Sequence, residues 1–415
     1  MKKTKGLLGV ILALWISGAA SAQTLEVIAN QGWLHNSGID KVLADKFTKE
    51  SGINVDFQVV PQDQYDNLLK VKLSAGEGVD VFYYGVAGLK TMNPDKNMAD
   101  LSGEAWTKDL RDWARDATSF NGKVVSLNTW GRDGWGMMYN KDVFAKLGLK
   151  VPTNWAEFTK VADTLQKNGI TPIYEPGKAT WHVGQYLKLI GPAIEKAHPG
   201  TLAKLNDGSA KFADNKDFAD ALGRFKELSK YFQKDYLSND FNEGTAPAMA
   251  SGKYGMLLVW TSFSNDIATA MGAGASADKW LMFSVPISPN FKTWTMSVGG
   301  ISRAIYKGSK NLDAAKKYFA FLARPENVKA YYTANTTLLE TSFKSVETKS
   351  PAAMAAISAL ATDGIGHELP DVVQYLSDDV IGKSMTELLL GGKTPVQVLQ
   401  AIDADRAKSF KALSQ

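Results

Sequence analysis

This 415-residue chain contains no cysteine. Disulfides, thiolate-ligated zinc and cysteine nucleophiles are thereby excluded. With no thiol to carry a lipid anchor, the chain is expected to be soluble and unanchored. Histidine is scarce as well: His35, His182, His198 and His367 stand singly, so no metal site and no cofactor are expected. No G-x-S-x-G elbow, H-E-x-x-H pair or complete P-loop occurs. Gly382-Lys383-Ser384 and Gly392-Lys393-Thr394 both lack the earlier glycine that a P-loop needs. No Lys/Arg-rich run points to nucleic acid. The apolar run Leu7 to Ile16 falls short of the roughly 20 residues that span a bilayer, and no later segment resembles a transmembrane helix.

That run has a purpose of its own. Lys2, Lys3 and Lys5 precede it, and Ala20-Ser21-Ala22 follows as a small-residue cleavage site. The pattern is that of a secretory signal peptide over 1–22, which predicts a periplasmic protein. Removing 22 of 415 residues leaves 393, and losing three lysines takes the net charge from +4 to +1. A near-neutral mature chain gives no electrostatic reason to bind nucleic acid. Its length exceeds what one core usually serves, so two lobes are expected.

The mature chain opens with a strand at Thr24 to Ala29, and a loop follows that holds Trp33 and His35. A helix through Ile39, Val42, Leu43 and Phe47 is stopped by Gly52. A strand follows at Ile53 to Val60, then a helix with Tyr65, Leu68 and Leu69, then a buried strand at Val79 to Tyr84. Strand–helix–strand–helix–strand is the signature of an α/β unit with a parallel sheet, whose ligands bind at the carboxyl ends of the strands. Further on, Asn154 is placed to cap a helix with Glu157 at its third position and Phe158, Val161 and Leu165 as its apolar stripe. A short strand over 170–174 leads to Glu175 and Trp181, residues 185–240 are mostly helical, and Gly255 to Trp260 is another buried strand. The C-terminal part is helical.

Against this frame, Trp130-Gly131-Arg132-Asp133-Gly134-Trp135-Gly136 is unusual. Large aromatics and two charges sit among glycines, which let a backbone turn and approach a ligand closely. Sugars need such a surface: aromatic faces for their C–H groups and polar side chains for their hydroxyls. A Trp-rich turn in a large core is the competing reading. Trp33, Tyr83, Tyr84, Trp130, Trp135, Trp181, Trp260 and Trp294 mostly lie just past expected strands and are candidates for ligand contact. Arg132, Asp133, Glu175 and His182 are the polar candidates. Trp106, Trp113, Trp155 and Trp280 are read as structural. Asp133 and Glu175 could also form the carboxylate pair of a glycoside hydrolase.

The segment Gly136-Met137-Met138-Tyr139-Asn140-Lys141-Asp142-Val143-Phe144, with Gly148-Leu149 and Val151 to Phe158, resembles the signature GxxYNKDxFxKxGLxxPxTWxEF of family 1 extracellular solute-binding proteins. These are the sugar-binding components of ABC importers, maltose-binding protein among them. Ala250 to Met256, Lys307 to Ala323 and Leu389 to Ile402 resemble further motifs of that family in order and spacing. Asn154 departs from the family's usual Thr, which changes a cap and not a role.

The resemblance implies an α/β fold of two lobes, each a mainly parallel sheet flanked by helices, with the ligand in the cleft between them. It implies crossings near Gly134, Ser297 and Leu339, hence a first lobe of 23–134 and 298–340 and a second of 135–297 and 341–415. It implies closure of the lobes by hinge motion and docking on an ABC permease driven by a separate ATPase subunit. By the same resemblance Trp260 is a sugar stacker, Gly299 and Gly300 approach the ligand, and Tyr375 lies near a cleft aromatic. The expected protein is a monomeric, non-enzymatic sugar receptor. Its alternatives are a receptor for a uronate or a glycerol-phosphate-type ligand, and a secreted carbohydrate-active enzyme.

Overall fold

The computed structural model describes residues 23–34, 38–86, 88–128, 131–297, 300–334, 340–348, 356–357 and 359–413. The signal segment 1–22, His35, Trp130, Gly299 and Leu339 lie outside the described residues.

Thirteen strands form two mixed sheets and a small hairpin among the described residues. In chain order they are β1 (Thr24–Asn30), β2 (Asn54–Val60), β3 (Val81–Gly85), β4 (Ser119–Phe120), β5 (Lys123–Val124), β6 (Leu127–Asn128) and β7 (Asp133–Asn140). Then come β8 (Thr171–Tyr174), β9 (Tyr254–Trp260), β10 (Trp280–Phe283), β11 (Thr293–Ser297), β12 (Ile301–Ile305) and β13 (Gly364–His367).

The first sheet has the order β2-β1-β3-β12-β6. β1 is parallel to β2 and to β3, as the alternation of strands and helices predicted, and β12 then runs antiparallel to β3. The helix Ile39–Ser51 between β1 and β2 ends on Gly52, whose φ of 72° lets its N–H turn back to Thr48 O at 2.9 Å. Leu25, Val27, Tyr83, Phe319, Phe321 and Tyr331 fill the core of this lobe.

The second sheet has the order β13-β11-β7-β9-β8, with β10 also pairing β7. Five of its six strands, β8, β9, β10, β11 and β13, run the same way, as expected of a mainly parallel sheet, and β7 opposes them. β7 is antiparallel to β9, β10 and β11. The helix Trp155–Lys167 flanks this sheet, with Asn154 Oδ1 accepting from Glu157 N–H at 2.9 Å as its spacing predicted. Phe158, Tyr186, Leu222, Phe225, Met256 and Val398 belong to the main core.

The third crossing also differs from expectation. Phe343 and Val346 pack in the first core, whereas Ile357 packs in the second. The first lobe therefore runs past 340, and the crossing falls between Val346 and Ile357 rather than near Leu339. Segment 341–346 is bound to the first lobe by Arg111 N–H to Ser342 O at 2.9 Å and Lys344 N–H to Asp109 O at 2.8 Å. Those contacts join residues more than 200 positions apart, which local pattern does not reveal.

Candidate ligand-binding cleft

Strand direction places the cleft. β8, β9, β11 and β13 run the same way, and β7 opposes them, so Tyr174, Trp260, Ser297, His367 and the start of β7 at Asp133 share one sheet edge. In the first sheet Asn30, Gly85, Asn128 and Ile301 share an edge in the same manner. Asn128 joins Asp133 through four residues and Ser297 joins Ile301 through three. Four residues span at most about 14 Å, so the two edges lie close to each other. On Gly32 a Cβ would lie 3.2 Å from Asn242 Nδ2 of the second lobe, so the lobes touch there.

The second lobe lines this edge with linked aromatic rings. Trp135 and Trp260 are paired across β7 and β9 with ring centroids 5.1 Å apart. Trp260 lies 5.3 Å from Phe241 and 5.4 Å from Phe263, and Phe241 lies 4.9 Å from Trp181. Phe241 and Phe263 are buried, and the three tryptophans keep part of their surface exposed. On the first lobe Trp33 stands edge-on to Tyr65 at 4.9 Å and to Tyr84 at 5.6 Å. The Tyr84 hydroxyl donates to Asp66 at 3.0 Å. Asn30 Oδ1 accepts from Gly32 N–H at 2.8 Å and so shapes the loop that carries Trp33.

The crossing after β6 is tightly held. Gly131 has φ of 84°, and a Cβ there would stand 2.3 Å from Glu340 O and 2.5 Å from Tyr332 Oη, so only glycine fits. Arg132 N–H donates to Glu340 O at 2.9 Å, its guanidinium lies 3.6 Å from the Glu340 carboxylate, and Arg111 reaches that carboxylate at 3.2 Å. Arg132 also lies over the Trp113 ring at 5.6 Å. Nearby, burial and then the charge of Arg132 lower the pKa of His367.

Asp133 is buried and turned toward its own lobe. It accepts from the hydroxyls of Thr261 and Ser262 and from Gly134 N–H at 2.9 Å. Burial outweighs these hydrogen bonds and pushes its carboxyl up to about 6. Its oxygens hold the turn after β9 in place, directly after Trp260.

The structure places six further candidates as follows. Tyr83 is buried, donates to Asp40 at 3.2 Å and lies 4.6 Å from the Arg303 guanidinium, because alternate residues of a central strand face the core. Trp294 lies within β11 rather than in a loop, buried against Gly134 and Gly136. Glu175 and His182 are fully buried and bonded to each other at 2.8 Å. Tyr375 stands edge-on to Phe410 of the C-terminal helix, with ring centroids 5.1 Å apart. Gly300 accepts from Val86 N–H at 3.0 Å, a contact that ties the crossing to β3. Because Asp133 and Glu175 both face protein donors, they do not form an open carboxylate pair.

Sequence reading missed Phe241, Phe263, Asn242 and Glu340. Trp113, read as structural, stands beside Arg132. The one local signal was Asp240, which caps the helix Phe241–Ala250 and so fixes where Phe241 sits.

Two α/β lobes joined by short crossings, with an aromatic-lined edge close to a second edge, define a two-lobed solute-binding protein. The chain matches the bacterial extracellular solute-binding protein family over residues 32–329 and belongs to it. It is 24% identical over 331 residues to the melibiose/raffinose/stachyose-binding protein of Bacillus subtilis, covering 75% of this chain and 73% of that one. It is 24% identical over 348 residues to the multiple sugar-binding protein of Streptococcus mutans, covering 79% and 78%. Among solved structures, a sugar transporter of Bacillus licheniformis in complex with stachyose superposes with a TM-score of 0.74 at 22% identity, covering 92% of this chain and 98% of that one. A chitin oligosaccharide binding protein superposes with a TM-score of 0.77 at 16% identity, covering 93% and 99%.

Proposed function

We propose that this protein is the exported, monomeric receptor of an ABC importer, that it binds a sugar between its lobes, and that it hands the sugar to a membrane permease driven by a separate ATPase. The observation that carries this reading is the run Trp181–Phe241–Trp260–Trp135 on one lobe opposite Trp33 and Tyr84 on the other. Flat apolar faces with polar edges suit pyranose rings, and the relatives named above bind sugars by name. The signal pattern at 1–22 supports export to the periplasm. The inward-facing Asp133 and Glu175 support binding without catalysis. Arg132 is already shared with Glu340, which favours a neutral sugar over a uronate or glycerol phosphate.

A panel of melibiose, raffinose, stachyose and shorter sugars, followed by Trp fluorescence and melting temperature, tests the proposal. A ligand at a hundredfold excess over its Kd stabilises the form that binds it by about 2.7 kcal/mol. If no sugar raises the melting point, or if a sugar in the panel is hydrolysed, the reading is wrong.

A further inference from the structure

Behind the cleft aromatics lies a sealed polar network that ligand contact does not explain. Glu175 follows β8, and its backbone is clamped by Gln233: Glu175 N–H donates to Gln233 Oε1 at 2.9 Å, and Gln233 Nε2 donates to Glu175 O at 2.8 Å. One carboxylate oxygen lies 2.8 Å from His182 Nδ1, and the other accepts from the Tyr186 hydroxyl at 3.0 Å. His182 Nε2 lies 2.7 Å from Leu258 O in β9. Glu175, His182 and Tyr186 are each 0% exposed.

Proton bookkeeping fixes the arrangement. A carbonyl oxygen only accepts, so His182 Nε2 carries a hydrogen and donates to Leu258. Two lone pairs at 2.8 Å would repel, so one further proton lies between His182 Nδ1 and Glu175 Oε1. Burial and the Glu175 charge push the Tyr186 hydroxyl well above its ordinary value, which keeps it a donor. The buried groups are thus mutually satisfied, as a sealed polar network requires.

The network grips the elements that carry the rings. His182 lies in the helix Thr180–Lys188 beside Trp181, with ring centroids 5.5 Å apart. The His182 imidazole lies 5.4 Å from the Phe241 ring. Leu258 is two residues before Trp260 in β9, so this bond holds the strand close to that ring.

We infer that Glu175 and His182 are positioning residues for the ligand platform, locking Trp181, Phe241 and Trp260 in register through the helix Thr180–Lys188 and β9. The name of the ligand rests on the sugar reading above; the positioning role does not.

Glu175→Gln and Glu175→Leu separate the alternatives. Glutamine keeps the geometry, since its amide N–H donates to His182 Nδ1 and its carbonyl accepts from Tyr186. Leucine keeps the bulk and removes both contacts. In the ligand-free protein, the indole N–H resonances of Trp181 and Trp260 should match the wild type in the glutamine variant and move in the leucine variant. Sugar affinity, measured well below every melting point, should stay within about twofold for glutamine and fall about tenfold for leucine, or about 1.4 kcal/mol. Unmoved resonances with a lowered melting point in the leucine variant would reduce the network to ordinary core structure and overturn the inference, as would a glutamine variant that behaves like leucine. If the leucine variant does not fold, Tyr186→Phe removes one donor at nearly constant volume and takes its place, with the same two outcomes. Should the wild type bind no sugar, the sugar reading fails, and the resonances alone still decide positioning.

Discussion

Trp135 and Trp260 lie directly opposite each other on β7 and β9, with ring centroids 5.1 Å apart and planes at 66°. Each is half-buried, so the pair keeps surface for a ligand. Truncating Trp260 removes a ring that also touches Phe241 and Phe263. Trp260→Ala should weaken sugar binding at least about tenfold, a cost of about 1.4 kcal/mol that calorimetric titration can read.

Gly32 and Asn242 meet from opposite lobes. A methyl at Gly32 would press on Asn242 at 3.2 Å, and a branched side chain would collide with it. Gly32→Val should hold the lobes apart, so that saturating sugar no longer reduces the radius of gyration in solution scattering. Adding Asn242→Ala should restore closure. Normal compaction in Gly32→Val would show that this contact does not limit closure.

Gly131 allows no side chain. Its φ of 84° is strained for other residues, and a Cβ would clash with Glu340 O at 2.3 Å. Gly131→Ala should lower stability by about 1–3 kcal/mol, visible as a drop in melting temperature.

Asp133 should make stability depend on pH in an unusual direction. Its folded pKa is raised, to about 6 from 3.8. Its contribution is therefore fully present below about pH 4 and is lost as pH rises through about 6. From pH 4 to 7 the wild type should lose up to about 3 kcal/mol relative to Asp133→Asn, since each pKa unit is worth about 1.4 kcal/mol. Melting both proteins across that range checks the sign, because the groups they share cancel in the difference.

Several helix ends in both lobes were legible because their signals are local. Gly52 stops a helix by its left-handed backbone, and Asn154 with Glu157 starts another, each through contacts a few residues apart. The site was legible only in part. Sequence context singled out Trp33, Tyr84, Trp135, Trp181 and Trp260 as candidates, but the folded chain sets Tyr84 and Trp135 within strands and Trp181 in a helix rather than in loops. Tyr83 sits beside Tyr84 and faces the other way, a difference set by strand pleat and register. Glu175 and His182 have the composition of a binding site and the burial of a core. Phe241 reaches the platform only because its helix packs beside β9.

The sequence by itself determined the α/β periodicity, the absence of thiol chemistry, and the segment from Trp130 to Asp142 as the place where aromatic, charged and glycine residues concentrate. These follow from residue type and short-range spacing. Tertiary structure decided which way β7 runs, where the chain crosses for the third time, and which rings face the cleft. Those outcomes depend on pairings between residues far apart in the chain, such as Arg132 with Glu340 and Trp135 with Trp260, which only the folded chain brings together.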